Sequence, residues 1–290
     1  MIVATRTTTR DDYDQRLLTV QLHIQQNLDA ELPLDQLASI AHFSPYHFHR
    51  IFRGMTGESV AQHIRRLRLE RAAQRLKHSD RALPNIATEA GYDAYESFSR
   101  AFRSRFSLSP SDFRSSNTTL TPEAENRTMP TAPPISITIE KLPERKAIFV
   151  RHVGPYDQVG SAWAKLFKYA GIRFMIGRNP DMFALVHDDP EVTPPDKIRY
   201  DACLVTTRNV KPKGDIGVTT LPAGEYASTI HLGPYNTLND SYAALCGQWL
   251  PTSGRELAPK PSIERYLNNP NKTPPEKLET RIYMPLEPLT

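Results

Sequence analysis

The order of apolar and polar positions divides the chain near its middle. Before residue 115 the apolar residues recur at helical spacing. Tyr13, Leu17, Val20, Ile24 and Leu28 form one stripe between Asp11 and Asp29, and Leu34 to Ala41 predicts a short second helix. Ser44-Pro45 offers an N-cap and a first-turn proline for a third. Ser59 to Lys77 predicts a longer helix with Val60, Ile64, Leu67 and Leu76 on its apolar side. Ile86 to Ala90 opens a further pair with Gly91 at its turn, Asp93 to Glu96 reads as a capping box, and Ser109-Pro110 caps the last helix. Beyond Pro134, short alternating runs such as ISITIEKL and AIFVRHV mix with two helix-like stretches, the pattern of an α+β domain. The segment between, SSNTTLTPEAENRTMPTAPP, has no apolar period and cannot bury enough surface to offset chain entropy. The expected organisation is an all-α domain over 11–114, a linker over 115–134 and an α+β domain over 135–290.

Each half also contains a duplication. LASIAHFSPYHFHRIFR (37–53) aligns with IATEAGYDAYESFSRAFR (86–103), placing Phe48, Arg50, Phe52 and Arg53 opposite Phe98, Arg100, Phe102 and Arg103. A small residue in one helix, a tight turn and a second helix predict two helix-turn-helix units in tandem. Gly91 suits the turn of the second unit, whereas the first has His42 there, a strained or differently turned site. In the second half RHVGPYDQV (151–159) recurs as IHLGPYNTL (230–238), each copy preceded by Leu-Pro. DDPEVTPPDKIRYDACLV (188–205) is echoed by NNPNKTPPEKLETRIYMP (268–285). Two such units should pair about a pseudo-two-fold axis, joining their antiparallel strands into one sheet under two helices. A cleft along that interface is a favoured place for a small molecule.

Composition adds less. The chain has 290 residues, is 39% hydrophobic and carries a net charge of +4. No apolar run approaches the ~20 residues of a membrane span. The stretch MIVATRTTTRDDYDQ lacks a signal-peptide core, so a cytoplasmic protein without a membrane partner is expected. Between Ser44 and Lys77 eight Arg or Lys stand against Glu58 and Glu70, a local excess that fits a polyanion. Cys203 and Cys246 have neither metal nor redox spacing, and His42, His47 and His49 lack companion ligands, so no metal or cofactor is expected.

GYDAYESFSRAFRSRFSLSPSDFR and FSPYHFHRIFRGMTGESVAQHIRRLRLERAAQRL resemble the two DNA-reading units, and the helix joining them, of AraC/XylS-type transcription regulators. That resemblance implies a recognition helix in each of two successive major grooves of double-stranded DNA. The positions then facing the bases are Tyr46, His49 and Arg50 in the first unit and Tyr95, Glu96, Ser97 and Arg100 in the second, with the phenylalanines inward. Arg50 and Arg100 suit guanine or a phosphate; Glu96 suits a cytosine amino group or a cap on its own helix.

The second half resembles the GyrI-like effector-binding domain through HVGPY, HLGPY, DDPEVTPPDKIRYDAC and IERYLNNPNKTPPEKLETRIYMPL. With the AraC-type reader in front, the whole is similar to Rob-like regulators. Strand alternation in PSIERYLN puts Glu264 and Tyr266 on one face, and the resemblance points to a pocket glutamate at this position. A carboxylate among aromatics would attract a lipophilic cation; a solvated strand carboxylate is the plainer alternative. Tyr156 and Tyr235 either line the cleft or brace turn against helix, and Trp163 and Trp249 either stack on a ligand or pack in the core. His152 and His231 suit structural hydrogen bonds.

Together these features predict a ligand-responsive transcription regulator with a small-molecule effector, RNA polymerase as a further candidate partner, and no catalytic group. Two other classes compete. Some GyrI-like domains are associated with hydrolysis, for which Glu264 and a tyrosine would supply acid–base chemistry. A module that titrates a protein partner would show neither ligand binding nor turnover.

Overall fold

The computed structural model describes residues 9–116, 135–173, 180–190 and 192–289. Of the expected linker, residues 117–134 lie outside the described residues. The first half is helical: α1 (Thr9–Gln26), α2 (Leu34–Ile40), α3 (Pro45–Thr56), α4 (Val60–His78), α5 (Leu83–Glu89), α6 (Tyr95–Phe106) and α7 (Pro110–Ser115). Two helix starts follow the capping expected of them. Ser59 Oγ accepts from the Gln62 amide while Gln62 Oε1 accepts from the Ser59 amide, and Ser109 Oγ accepts from the Asp112 amide. Two do not. Ser44 Oγ is buried without a hydrogen-bond partner, and α6 starts from Ala94 with no side-chain cap, because Asp93 stands one position too early. His42 does occupy the left-handed region (φ 54°), as does Gly91 (φ 82°).

The described residues form two compact units that do not follow chain order. One draws on residues 14–42 and 57–116; the other on 9–13, 43–56 and 135–289, so that α3 belongs with the second half. In the first unit, Leu69, Ala72, Ala73 and Leu76 of α4 bury against Ile86, Ala87, Phe98, Phe102 and Phe113. The arginines of α4 are largely engaged within the protein. Arg66 pairs with Glu58 and Glu70, Arg68 donates to the carbonyls of Leu28 and Ala30, and Arg71 forks onto Asp29. The local basic excess is therefore partly neutralised by the chain itself.

The second half forms one eight-stranded antiparallel sheet from β1 (Thr138–Leu142), β2 (Arg145–Val153), β3 (Met182–Val186), β4 (Arg199–Val205), β5 (Gly217–Leu221), β6 (Gly224–Leu232), β7 (Ser262–Tyr266) and β8 (Glu279–Pro285). The order β1-β6-β8-β7-β3-β4-β2-β5 is a palindrome of the duplication, since β1, β2, β3 and β4 are the repeats of β5, β6, β7 and β8. The copies meet at β3 and β7, where Ala184 pairs with Glu264. These two residues hold the same place in the repeat, so the pseudo-two-fold axis runs beside the carboxylate.

The first helix on the sheet is α8 (Gly160–Ile172); the second, α9 (Leu238–Ala244), runs on through a π-helical turn at Leu245–Trp249. Under α8, Ala162, Leu166 and Ala170 pack on Ile148, Val150, Ala184, Ala202 and Leu204. Under α9, Tyr242, Leu245 and Cys246 pack on Ala227, Ile282 and Met284, together with Tyr13 and Ile51. The repeated His-x-Gly-Pro-Tyr phrase is a corner in both copies. Gly154 and Gly233 have φ of 142° and 136°, open to glycine alone, and Nε2 of His152 or His231 reaches the carbonyl of the following proline at 3.0 or 3.2 Å. The histidines are structural, as their position suggested.

Candidate functional site

Both oxygens of Glu264 are held by phenols: Tyr242 donates to Oε1 at 3.0 Å and Tyr266 to Oε2 at 2.9 Å. Behind Tyr266 the chain continues through the Tyr200 hydroxyl at 2.8 Å to the Trp163 indole N–H, which donates to Tyr200 at 2.9 Å. Because the indole only donates, the hydroxyl protons orient in series towards the carboxylate, and each bond polarises the next. The site draws on both copies: Trp163 and Tyr200 from the first, Tyr242, Glu264 and Tyr266 from the second. Across the sheet from Glu264, towards β3 and β4, stand small side chains, Ala184 beside it and Ala202 one strand further.

Glu264 is only 5% exposed, and burial pushes its carboxyl above the ordinary range. The two phenol hydrogen bonds and the charge of Arg50 pull the other way and lose. Burial together with the nearby carboxylate raises the hydroxyls of Tyr200, Tyr242 and Tyr266 well above the usual phenol value, so all three stay protonated donors. The thiol of Cys246, in the neighbouring core, is pushed up to about 12 by burial.

Of the residues expected at this site, Glu264, Tyr266 and Trp163 lie in one hydrogen-bonded chain. Tyr235 stands edge-on to Tyr266 with ring centres 5.5 Å apart, and Tyr156 stands edge-on to Tyr200 at 5.9 Å. Tyr156 is also a brace, because its hydroxyl donates to the Asp188 carbonyl. Trp249 packs instead on the core under α9. Two tyrosines escaped sequence reasoning: Tyr242 reads as part of an apolar helix stripe, and Tyr200 lies in β4 between Arg199 and Asp201, with no spacing that links it to Glu264. Their hydroxyls converge only once the strands are in register.

The expected DNA-facing residues part company. On α6, Glu96 and Arg100 are exposed, Ser97 is half-buried and accepts from Arg100 at 3.3 Å, and Tyr95 is partly packed on the helical core. On α3, Tyr46 is 41% exposed but His49 and Arg50 are 2% and 7% exposed, against the expectation that all three face outward. The reason is that α3 lies against the sheet domain of the second half. His49 Nδ1 is 2.9 Å from Asp189 Oδ2, Arg50 donates to Ser262 Oγ at 2.8 Å, and the Arg50 guanidinium sits 3.9 Å above the Tyr242 ring. His47 Nε2 donates to the Ala258 carbonyl at 2.9 Å, and full burial lowers this imidazole to about 3, so it is neutral. Ile51 enters the core under α9. Among the described residues, no cluster of side chains suits a metal ion and no helix is long and apolar enough to cross a membrane.

Residues 136–287 match the family described as the GyrI-like small molecule binding domain, and residues 37–116 match a helix-turn-helix domain. Regulatory protein SoxS of Salmonella typhimurium is 33% identical over 102 residues, 35% of this chain and 95% of that protein. The right origin-binding protein of Escherichia coli K12 is 24% identical over 258 residues, covering 84% of this chain and 87% of its own. A cryo-EM structure of an EcmrR–DNA complex aligns with 88% of this chain and 99% of that one, at 17% identity and a TM-score of 0.44. The sequence motifs, the palindromic sheet and both family matches agree: the chain belongs to the GyrI-like family and carries that domain behind an AraC-type reader, as a DNA-binding transcription regulator with an effector-binding domain.

Proposed function

We propose that the reader comprises residues 11–114 and the effector domain 135–290, joined by a linker over 115–134, and that the protein works in the cytoplasm. The effector is a lipophilic cation bound at Glu264, and its binding changes how α3 and α6 engage two successive major grooves. The observation that carries this reading is the buried Glu264 carboxylate, held by two phenols and surrounded by aromatic rings. A desolvated anion among π faces binds an organic cation through charge and cation–π attraction, while a neutral competitor gains neither. Contact with RNA polymerase is the output we assign to the DNA-bound form.

Binding is favoured over turnover. The phenols around Glu264 and the Cys246 thiol all have raised pKa values, which leaves them protonated and poorly nucleophilic near neutral pH. The test is a thermal-shift titration of the full chain with tetraphenylphosphonium, alongside Glu264→Gln, and a gel-shift assay on the DNA upstream of its own gene. Saturable stabilisation in the wild type, lost in the variant, supports the site; equal stabilisation of both sinks it. A complex without sequence preference or salt dependence sinks the reader.

A further inference from the structure

Arg50 is a cation already stacked on one of the two phenols that hold Glu264. The duplication within the reader supplies a control, because Arg50 and Arg100 hold the same repeat position. Arg100 is exposed, whereas Arg50 is buried, stacked 3.9 Å over Tyr242 and bonded to Ser262 two residues before Glu264. Tyr242 is the same phenol that donates to Glu264, and the Arg50 charge draws the Glu264 carboxyl downward in pKa. We infer that Arg50 is a built-in cationic ligand of the effector site, so that α3 and the effector compete for it and effector binding releases α3 to DNA. The inference rests on the cation reading above and adds the regulation of that site.

Two further observations fit a docked helix meant to be displaced. The charge partner Asp189 belongs to the first copy only, since its repeat equivalent is Asn269, whose Oδ1 accepts from the Asn271 amide. The receptor for α3 thus draws on both copies, Asp189 from the first and Tyr242 and Ser262 from the second. The helix crossing is also unusually close. A Cβ on Gly247 would fall 1.9 Å from the Gly54 carbonyl oxygen, and one on Gly54 would fall 2.6 Å from the Ala243 carbonyl oxygen. Glycine at both positions allows backbone-to-backbone contact that any side chain would break. An effector shifts such an equilibrium only by its preference for one state, and the docked state, with Arg50 in the site, binds a cation less well.

Hydrogen exchange on the full chain, with and without tetraphenylphosphonium, tests this. Amides of residues 45–56 should lose protection about tenfold or more at saturating cation, while those of α6 do not. Arg50→Ala should bind the cation about tenfold more tightly than wild type, since the site is already vacant. Gly247→Val should expose α3 and strengthen operator binding about tenfold without effector. Should Arg50→Ala lower the stability of the fold, Gly247→Val tests the release of α3 by a second route, from outside the reader. If the cation binds neither wild type nor Arg50→Ala, the effector class itself is wrong. If it binds wild type at Glu264 but α3 protection stays unchanged, or Gly247→Val still requires effector, the competition is wrong and the site reading stands.

Discussion

Glu264 is a residue on which burial and hydrogen bonding act in opposite directions. Burial raises its pKa above the ordinary 4.5, so the ionised form costs stability at neutral pH that the phenols only partly offset. Glu264→Gln should therefore leave the melting temperature unchanged or higher while weakening a monovalent organic cation by at least tenfold. In the wild type, cation affinity should be full above the raised pKa and fall as pH drops through it; calorimetric titrations at several pH values should show no such decline in Glu264→Gln. His47 has the opposite linkage. Its folded pKa of about 3 lies below the unfolded 6.5, so its contribution to stability is complete above pH 6.5 and is lost as pH falls from there towards 3. One proton taken up on unfolding corresponds to about 1.4 kcal/mol per pH unit. His47→Gln keeps an N–H for the Ala258 carbonyl and should flatten the denaturation slope between pH 6.5 and 5. An unchanged slope would exclude His47 as its source.

Helix boundaries show how far local rules carry. The Ser59 box and the Ser109 cap are written in the sequence and present in the structure, and Ser59→Ala should cost about 1 kcal/mol of unfolding free energy by chemical denaturation. Ser44 has the same chemistry before the same proline start, yet its hydroxyl caps nothing. His42 was legible as strained or differently turned because its repeat partner position carries glycine, and its φ of 54° puts it in the same left-handed region as Gly91. His42→Gly should be neutral or stabilising by up to about 1 kcal/mol, and His42→Val destabilising, because β-branched residues resist the left-handed region. The repeat-related α3 and α6 differ most in their surroundings. Their phenylalanines are equally buried, but histidines at 47 and 49 replace serines at 97 and 99, and those histidines find partners on the effector domain.

For the whole molecule, the proposed reading assigns DNA contact in this state to the exposed face of α6, which carries Glu96 and Arg100. Arg100→Ala should weaken operator binding and reduce the dependence of the binding constant on salt by about one phosphate's worth, measured by titration across salt concentrations. An unaltered salt slope with lost sequence preference would assign Arg100 to base contact instead. The sequence by itself determined the two duplications, the all-α and α+β halves, and Glu264 as the odd carboxylate in one copy, because periodicity and repeat offsets survive in one dimension. Tertiary structure decided which hydroxyls surround that carboxylate and that Arg50 stacks on one of those phenols, Tyr242. Those contacts join residues as far apart as 50 and 262, and no local spacing encodes which face of a helix will meet another domain.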